Sequence, residues 1–289
     1  MKFEPLHHWI KPVSGPLLIS GPCGAESFEQ VMTTAAQLKA LNKVSLFRAG
    51  VWKPRTRPNA FEGMGEEALK WLVEVKKEHG FPITVEVANA QHTELALKYG
   101  IDVLWIGART TVNPFSVQEI ADVLKGVDVP VMVKNPIHAD LQLWIGGIER
   151  IAHAGITKMA AIHRGFYFYG KTKYRNKPLW QLPIELRTHF PDLPLICDPS
   201  HICGNRELIP SVAQKALDLG MDGLMIESHC DPSKALSDAK QQFTPAQLRE
   251  VMNGLVVRHT SCEDEKLQNK LGDLRKIIDE IDDELMNTL

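Results

Sequence analysis

Eight short apolar runs rich in β-branched residues alternate along this chain with segments of helical periodicity, and that alternation restricts the available folds more than any other feature. The runs are Leu17 to Ser20, Val44 to Arg48, Ile83 to Val87, Val103 to Gly107, Val129 to Lys134, Ile156 to Ile162, Pro194 to Asp198 and Gly223 to Ser228. Each has strand length and reads as buried on both faces. Between them, Phe28 to Leu41, Glu66 to His79, Gln91 to Tyr99, Val117 to Leu124, Leu141 to His153 and Arg206 to Leu219 have helical spacing of their apolar residues. Gly80, Gly100, Gly126, Gly155 and Gly220 stand where such helices end.

Eight strand-and-helix units over about 250 residues predict a TIM (β/α)₈ barrel within the α/β class. A doubly wound open sheet is the competing fold, but no GxGxxG fingerprint follows the first strand. The barrel is expected over residues 1–258, with Thr244 to Arg258 as its last helix, followed by a polar linker at 259–270. In residues 271–289, apolar side chains at Leu271, Leu274, Ile277, Ile278, Ile281, Leu285 and Leu289 make one amphipathic helix. A lone helix of this kind must bury its stripe on the barrel, on another copy, or on residues outside this sequence.

Composition narrows the function. At 44% hydrophobic and 24% charged the chain is an ordinary globular one, and its net charge of −2 argues against nucleic acid or an anionic membrane as partner. No window approaches the roughly 18 uninterrupted apolar residues of a membrane span, and MKFEPLHHWIKPVSG is not a signal peptide, so a cytoplasmic location is expected. Five scattered cysteines, Cys23, Cys197, Cys203, Cys230 and Cys262, suit reduced thiols better than a disulfide framework.

In TIM barrels the chemistry sits at the C-terminal ends of the strands. There the sequence offers six cations, Arg48, Lys53, Arg55, Arg109, Lys134 and Arg164, a focused positive patch suited to phosphate and carboxylate groups. Pairing of individual cations with rim carboxylates is the plainer alternative. Cys23, His201, Glu227 and Asp238 are also presented at strand ends and could hold a divalent ion. Their mixed sulfur, nitrogen and oxygen donors favour Mn²⁺, Fe²⁺, Co²⁺ or Zn²⁺ over Mg²⁺ or Ca²⁺. The alternative is that Cys23 is a small core residue and His201 a satisfied core histidine. Cys203 and Cys230 read as packing residues. His163 has two readings, orienting a substrate or supporting Arg164, and Glu86 inside the third run must be paired or functional if buried.

The segments ISGPCGAES, RAGVWKPRT, IGARTT, PVMVKNP, AAIHRG, CDPSH, GLMIESH and LSDAKQ, in that order from Ile19 to Gln241, resemble type I 3-deoxy-D-arabino-heptulosonate-7-phosphate (DAHP) synthase, and more closely its compact Iβ branch. The resemblance implies condensation of phosphoenolpyruvate with erythrose 4-phosphate, the first step of the shikimate pathway, with a divalent metal, foremost Mn²⁺, acting as Lewis acid. It implies Cys23, His201, Glu227 and Asp238 as metal ligands and Arg48, Lys53, Arg109, Lys134 and Arg164 as the phosphoenolpyruvate clamp. Arg55 and Thr56 would hold the aldose phosphate, and Lys134, His163 and Glu86 are the candidates for proton transfer. A homo-oligomer, dimer or tetramer, is expected. The sister enzyme 3-deoxy-D-manno-octulosonate-8-phosphate (KDO8P) synthase, which uses arabinose 5-phosphate, is the alternative, disfavoured by KPRT at Lys53 to Thr56. LGDLRKIIDEIDDELMNTL resembles the opening helix of an AroQ-type chorismate mutase, with Arg275 at the substrate-binding arginine. A bifunctional parent is expected, with mutase activity absent from this chain.

Overall fold

The computed structural model describes residues 1–13, 15–55, 59–257 and 265–288, apart from the side chains of residues 265–268 and 283–288. The apolar runs form β1 (Leu17–Gly21), β2 (Leu46–Ala49), β3 (Ile83–Val87), β4 (Val103–Ile106), β5 (Val131–Lys134), β6 (Met159–His163), β7 (Leu195–Cys197) and β8 (Gly223–Glu227). Each strand pairs in parallel with the next, and β1 pairs with β8 from Leu17 opposite Gly223 to Gly21 opposite Glu227. The sheet therefore closes, as the TIM barrel reading expected, and no strand edge is left open. Strands β2, β5 and β6 begin later than the apolar runs. Val44, Val129 and Ile156 are buried in the loops that lead into them, so hydrophobicity there reports burial rather than ladder pairing.

Side-chain caps begin the helices between strands. Ser27, Asn89 and Asp140 accept from the backbone N–H groups of Gln30, His92 and Leu143, and Thr244 forms a reciprocal capping box with Gln247. The sixth unit contains a helix, Gln181–His189, that periodicity did not predict. Pro183 interrupts its pattern but lies in the first turn, where a missing N–H costs no intrahelical bond. A five-residue helix, Pro199–Cys203, follows β7 and carries His201.

Two apolar clusters fill the molecule. Leu17, Ile19, Leu46, Trp105, Met132, Ile162, Ile196 and Met225 belong to a small inner one. Alternate residues of the same strands, among them Leu18, Phe47, Leu104, Val133, Ala161 and Leu224, join the larger cluster shared with the helices. Ile10, just after the short turn Leu6–His8, completes the inner cluster. Full burial of each such side chain contributes about 1.5–3 kcal/mol.

Contacts divide the chain into Met1–Val256 and Val257–Leu289. Among its described residues the second unit forms one helix, Glu265–Thr288, and Leu271, Leu274, Ile277, Ile278 and Ile281 on it are about half exposed. Cys262 and the first half of the expected linker, 259–264, lie outside the described residues, whereas its second half, 265–270, belongs to this helix, which starts before the expected residue 271. Among the described residues no helix is long and apolar enough to cross a membrane.

Candidate active site

Strand alternation decides which side chains enter the barrel mouth. Trp105, Met132, Ile162, Ile196 and Met225 lie in the inner cluster, so the period of two brings Lys134, Arg164, Asp198 and Glu227 to the same side. Arg48 follows Leu46 in the same way. His163 has the opposite parity. Its ring is fully buried between Trp144, Phe166 and Trp180, and it lines neither cavity of the mouth. Its position fits support of Arg164 from behind; its substrate-orienting and proton-transfer roles are both corrected, because neighbouring residues of a strand face opposite sides and the buried ring does not reach the cavity. Burial pushes the His163 imidazole down to about 3, so it is neutral near pH 7.

The four proposed metal ligands converge. Ligand atoms of Cys23, Glu227 and Asp238 lie within 4.8 Å of one another. His201 Nε2 is 3.7 Å from Glu227 Oε1, while its Nδ1 is 2.8 Å from Asp198 Oδ2. Burial pushes Asp198 upward, but His201 and Lys134 outweigh it and hold the carboxyl well below the usual range. The carboxylate therefore takes the Nδ1 proton as a hydrogen bond and leaves a lone pair on Nε2, the arrangement typical of a metal-binding histidine.

Glycines make the convergence sterically feasible. Gly50 N–H donates to the Cys23 carbonyl, and a Cβ at Gly50 would overlap that oxygen. Cys23 N–H donates to Gln242 Oε1 at 2.9 Å, and Cys23 Sγ lies 3.0 Å from Lys53 Nζ and 3.4 Å from Asp238 Oδ2. Burial and Glu227 push the Cys23 thiol up to about 12, against the pull of Lys53. Glu227 Oε1 is buried and accepts no hydrogen bond, although Arg48 Nη1 is 3.1 Å away. An unsatisfied buried carboxylate oxygen beside a thiol, an imidazole nitrogen and a second carboxylate is a donor set that fits a divalent ion of borderline softness.

A cavity of about 280 Å³ adjoins these groups, lined by Glu86, Arg109, Lys134, Arg164, Arg175 and His201 among others. The same six residues also line a narrower space of about 90 Å³ that reaches Cys23, Arg48, Lys53, Arg55, Glu227 and Asp238. All six expected cations thus meet at one mouth. Arg48 and Lys134 are almost completely buried, held by Glu227 and by Asp198 at 2.8 Å, whereas Arg109 is exposed. Burial pushes Arg164 down to about 10, with Arg175 and Arg109 adding repulsion against the attraction of Asp198. An anion bound among them relieves that repulsion. Glu86 accepts a hydrogen bond from Trp105 Nε1 at 3.1 Å and is only partly buried, so it is both paired and open to the cavity. Arg55 Nε donates to the Phe61 carbonyl at 2.7 Å, and Thr56 lies outside the described residues. Cys203 is buried and Cys230 half-buried, neither of them lining either cavity.

The sequence reading gave no role to four contributors. Asp198 orients His201 and pairs with Lys134; Asn135 Oδ1 accepts from Arg164 N–H at 2.7 Å; Arg175 and Gln241 bond to the acidic ligands. Asp198 and Asn135 end or follow strands, which was a usable signal. Arg175 lies in the long segment between β6 and the next helix, with no local pattern to mark it. A larger cavity of about 540 Å³ lies at the opposite end of the barrel, beside Trp9 and Phe81, and gathers no comparable set of groups.

Fold and mouth together define a closed (β/α)₈ barrel whose mouth gathers basic side chains beside a donor set that fits a divalent ion. The chain belongs to the DAHP synthetase I family, whose profile matches residues 14–260. It is similar to phospho-2-dehydro-3-deoxyheptonate aldolase of Thermotoga maritima, with 32% identity over 226 residues, 78% of this chain and 64% of that one; it thus spans less than two thirds of that relative. A 2-dehydro-3-deoxyphosphooctonate aldolase of Stenotrophomonas maltophilia is 29% identical over 258 residues, 83% of this chain and 89% of that one. The crystal structure of the Thermotoga maritima DAHP synthase superposes with a TM-score of 0.74 at 30% identity, covering 89% of this chain and 70% of that one. A truncated form of the Thermotoga maritima enzyme gives 0.71 at 28% identity, covering 89% and 87%.

Proposed function

We propose that this protein condenses phosphoenolpyruvate with erythrose 4-phosphate and water to give DAHP and inorganic phosphate. The observation that carries the reading is the meeting of six basic side chains with Cys23, His201, Glu227 and Asp238 at one end of the barrel. Family membership supports it. Arg48, Lys53, Arg109, Lys134 and Arg164 bind the phosphate and carboxylate of phosphoenolpyruvate, and Arg55 with Thr56 binds the aldose phosphate. Holding both substrates in one orientation turns a bimolecular encounter into an effectively intramolecular step.

In this reading C3 of phosphoenolpyruvate forms a bond to the aldehyde carbon, water adds at C2, and the C2 phosphate leaves. The clamp arginines stabilise the negative charge that collects on the departing phosphate. Cys23, His201, Glu227 and Asp238 would hold a divalent ion, foremost Mn²⁺, which when bound supplies Lewis acidity towards the aldehyde oxygen. Lys134 and Glu86, which line the cavity, handle the protons. A cytoplasmic homo-oligomer fits the reduced cysteines and the composition. The C-terminal helix is proposed as mutase-like, and this chain is expected not to convert chorismate to prephenate; measurable conversion would overturn that expectation.

The octulosonate-forming relative keeps a second substrate in play. The decisive assay is phosphoenolpyruvate consumption by the Mn²⁺-loaded protein with erythrose 4-phosphate and, separately, with arabinose 5-phosphate, each with and without EDTA. EDTA-sensitive turnover with the four-carbon sugar alone is expected. Preference for the five-carbon sugar moves the assignment to the KDO8P reaction, and turnover with neither removes both.

A further inference from the structure

Two polar side chains outside the ligand set close a path behind it. Gln241 is almost fully buried in the turn that follows Asp238. Its Nε2 donates to Glu227 Oε2 at 2.7 Å, and its Oε1 accepts from Arg175 Nη1 at 2.9 Å. The same Nη1 donates to Asp238 Oδ1 at 3.0 Å. A carboxylate only accepts and a guanidinium only donates, so the amide has one permissible orientation.

The outer oxygen of each carboxylate is therefore occupied. Glu227 Oε1 and Asp238 Oδ2 are the oxygens left on the side of His201 and Cys23, at 3.7 Å from Nε2 and 3.4 Å from Sγ respectively. Arg175 is anchored in turn. Its N–H donates to the Cys203 carbonyl, Asn176 Nδ2 donates to the His201 carbonyl at 2.7 Å, and a Cβ at Gly204 would press on the Arg175 side chain. The segment carrying Arg175 is thus tied to the short helix that carries His201.

We propose that Gln241 and Arg175 are positioning residues of the ion site, holding Glu227 and Asp238 as one-oxygen ligands and so setting affinity and coordination number. The inference rests on the ion-site reading given above. It also makes the site sensitive to a residue that lines the anion cavity, because Arg175 belongs to both.

The test is Mn²⁺ affinity by calorimetry and the visible absorption of the Co²⁺-loaded protein, for wild type, Gln241→Met and Arg175→Met. Loss of such outer hydrogen bonds typically costs about 10- to 100-fold in metal affinity. Each variant is expected to weaken Mn²⁺ binding in that range and to alter the Co²⁺ spectrum as a carboxylate swings to two-oxygen chelation. Urea unfolding of the metal-free proteins reads folding separately. Wild-type affinity and an unchanged Co²⁺ spectrum in both variants would overturn the positioning role, as would affinity losses that merely track loss of metal-free stability. A wild-type protein that binds neither ion removes the ion site itself, and this inference with it.

Discussion

Lys134 Nζ and His201 Nδ1 share one acceptor: each lies 2.8 Å from Asp198 Oδ2. A single buried carboxylate thus orients together the lysine proposed for the anion clamp and the imidazole proposed as a metal ligand. Asp198→Asn removes the charge that balances buried Lys134 and offers an N–H to Nδ1, which turns the imidazole to its other tautomer. Breaking a buried pair of this kind costs about 3–5 kcal/mol. Mn²⁺ affinity is expected to fall about 10- to 100-fold as well. Urea unfolding and calorimetry check the two effects separately, and a variant that keeps full metal affinity would show that Asp198 does not set the tautomer.

Cys23 is the one soft donor in the proposed ligand set. Cys23→Ser replaces it with a harder oxygen that does not ionise near neutral pH. Co²⁺ and Zn²⁺ binding is expected to suffer more than Mn²⁺ binding, since thiolate preference follows softness. Competition against a chelator gives the three affinities, and equal losses would mean that the sulfur is not a ligand.

Arg109 and Arg48 carry the same charge in opposite settings. Arg109 is exposed at the mouth, so Arg109→Ala leaves folding within about 0.5 kcal/mol. On the proposed function its loss is expected to raise the phosphoenolpyruvate KM by about 10- to 150-fold, the equivalent of about 1.5–3 kcal/mol for a hydrogen bond to a charged group. Arg48 is buried, paired with Glu227 and stacked over Trp105 with its guanidinium carbon 5.0 Å from the ring centroid. Arg48→Met leaves Glu227 uncompensated and lowers stability by about 3–5 kcal/mol. Equal stability losses in the two variants would contradict this division.

His163 links folding to acid. Its folded value is about 3, against an unfolded value near the ordinary 6.5, so between those limits the unfolded chain binds the extra proton. The contribution is fully present above pH 6.5 and is lost as the pH falls towards 3, at a slope on the order of 1 kcal/mol per pH unit. His163→Leu removes that slope while turnover at pH 7.5 persists. Denaturant unfolding of both proteins between pH 7.5 and 4.5 checks it: parallel curves would mean that His163 is protonated in the folded state.

Much of this site was legible in the sequence. Arg48, Lys134 and Glu227 end apolar runs, and barrels place chemistry at strand ends, so their convergence followed from counting. The facing of His163 did not follow. Ala160 and Ile162, continued by Arg164 just past the strand, form one side of β6, and Met159, Ala161 and His163 the other. Because both faces of a barrel strand are buried, both are apolar, and no polarity contrast marks the side that meets the axis.

The succession of strand-and-helix units, and the placing of the cations and candidate ion ligands at strand ends, could be read from the sequence, through runs of residues that only burial on two faces explains. Tertiary structure decided the rest. It turned Arg164 inward and His163 outward, set Asp198 between Lys134 and His201, and brought Arg175 across to Asp238 and Gln241. These are contacts between elements distant in the chain, and local propensity and periodicity carry no record of them until the barrel closes.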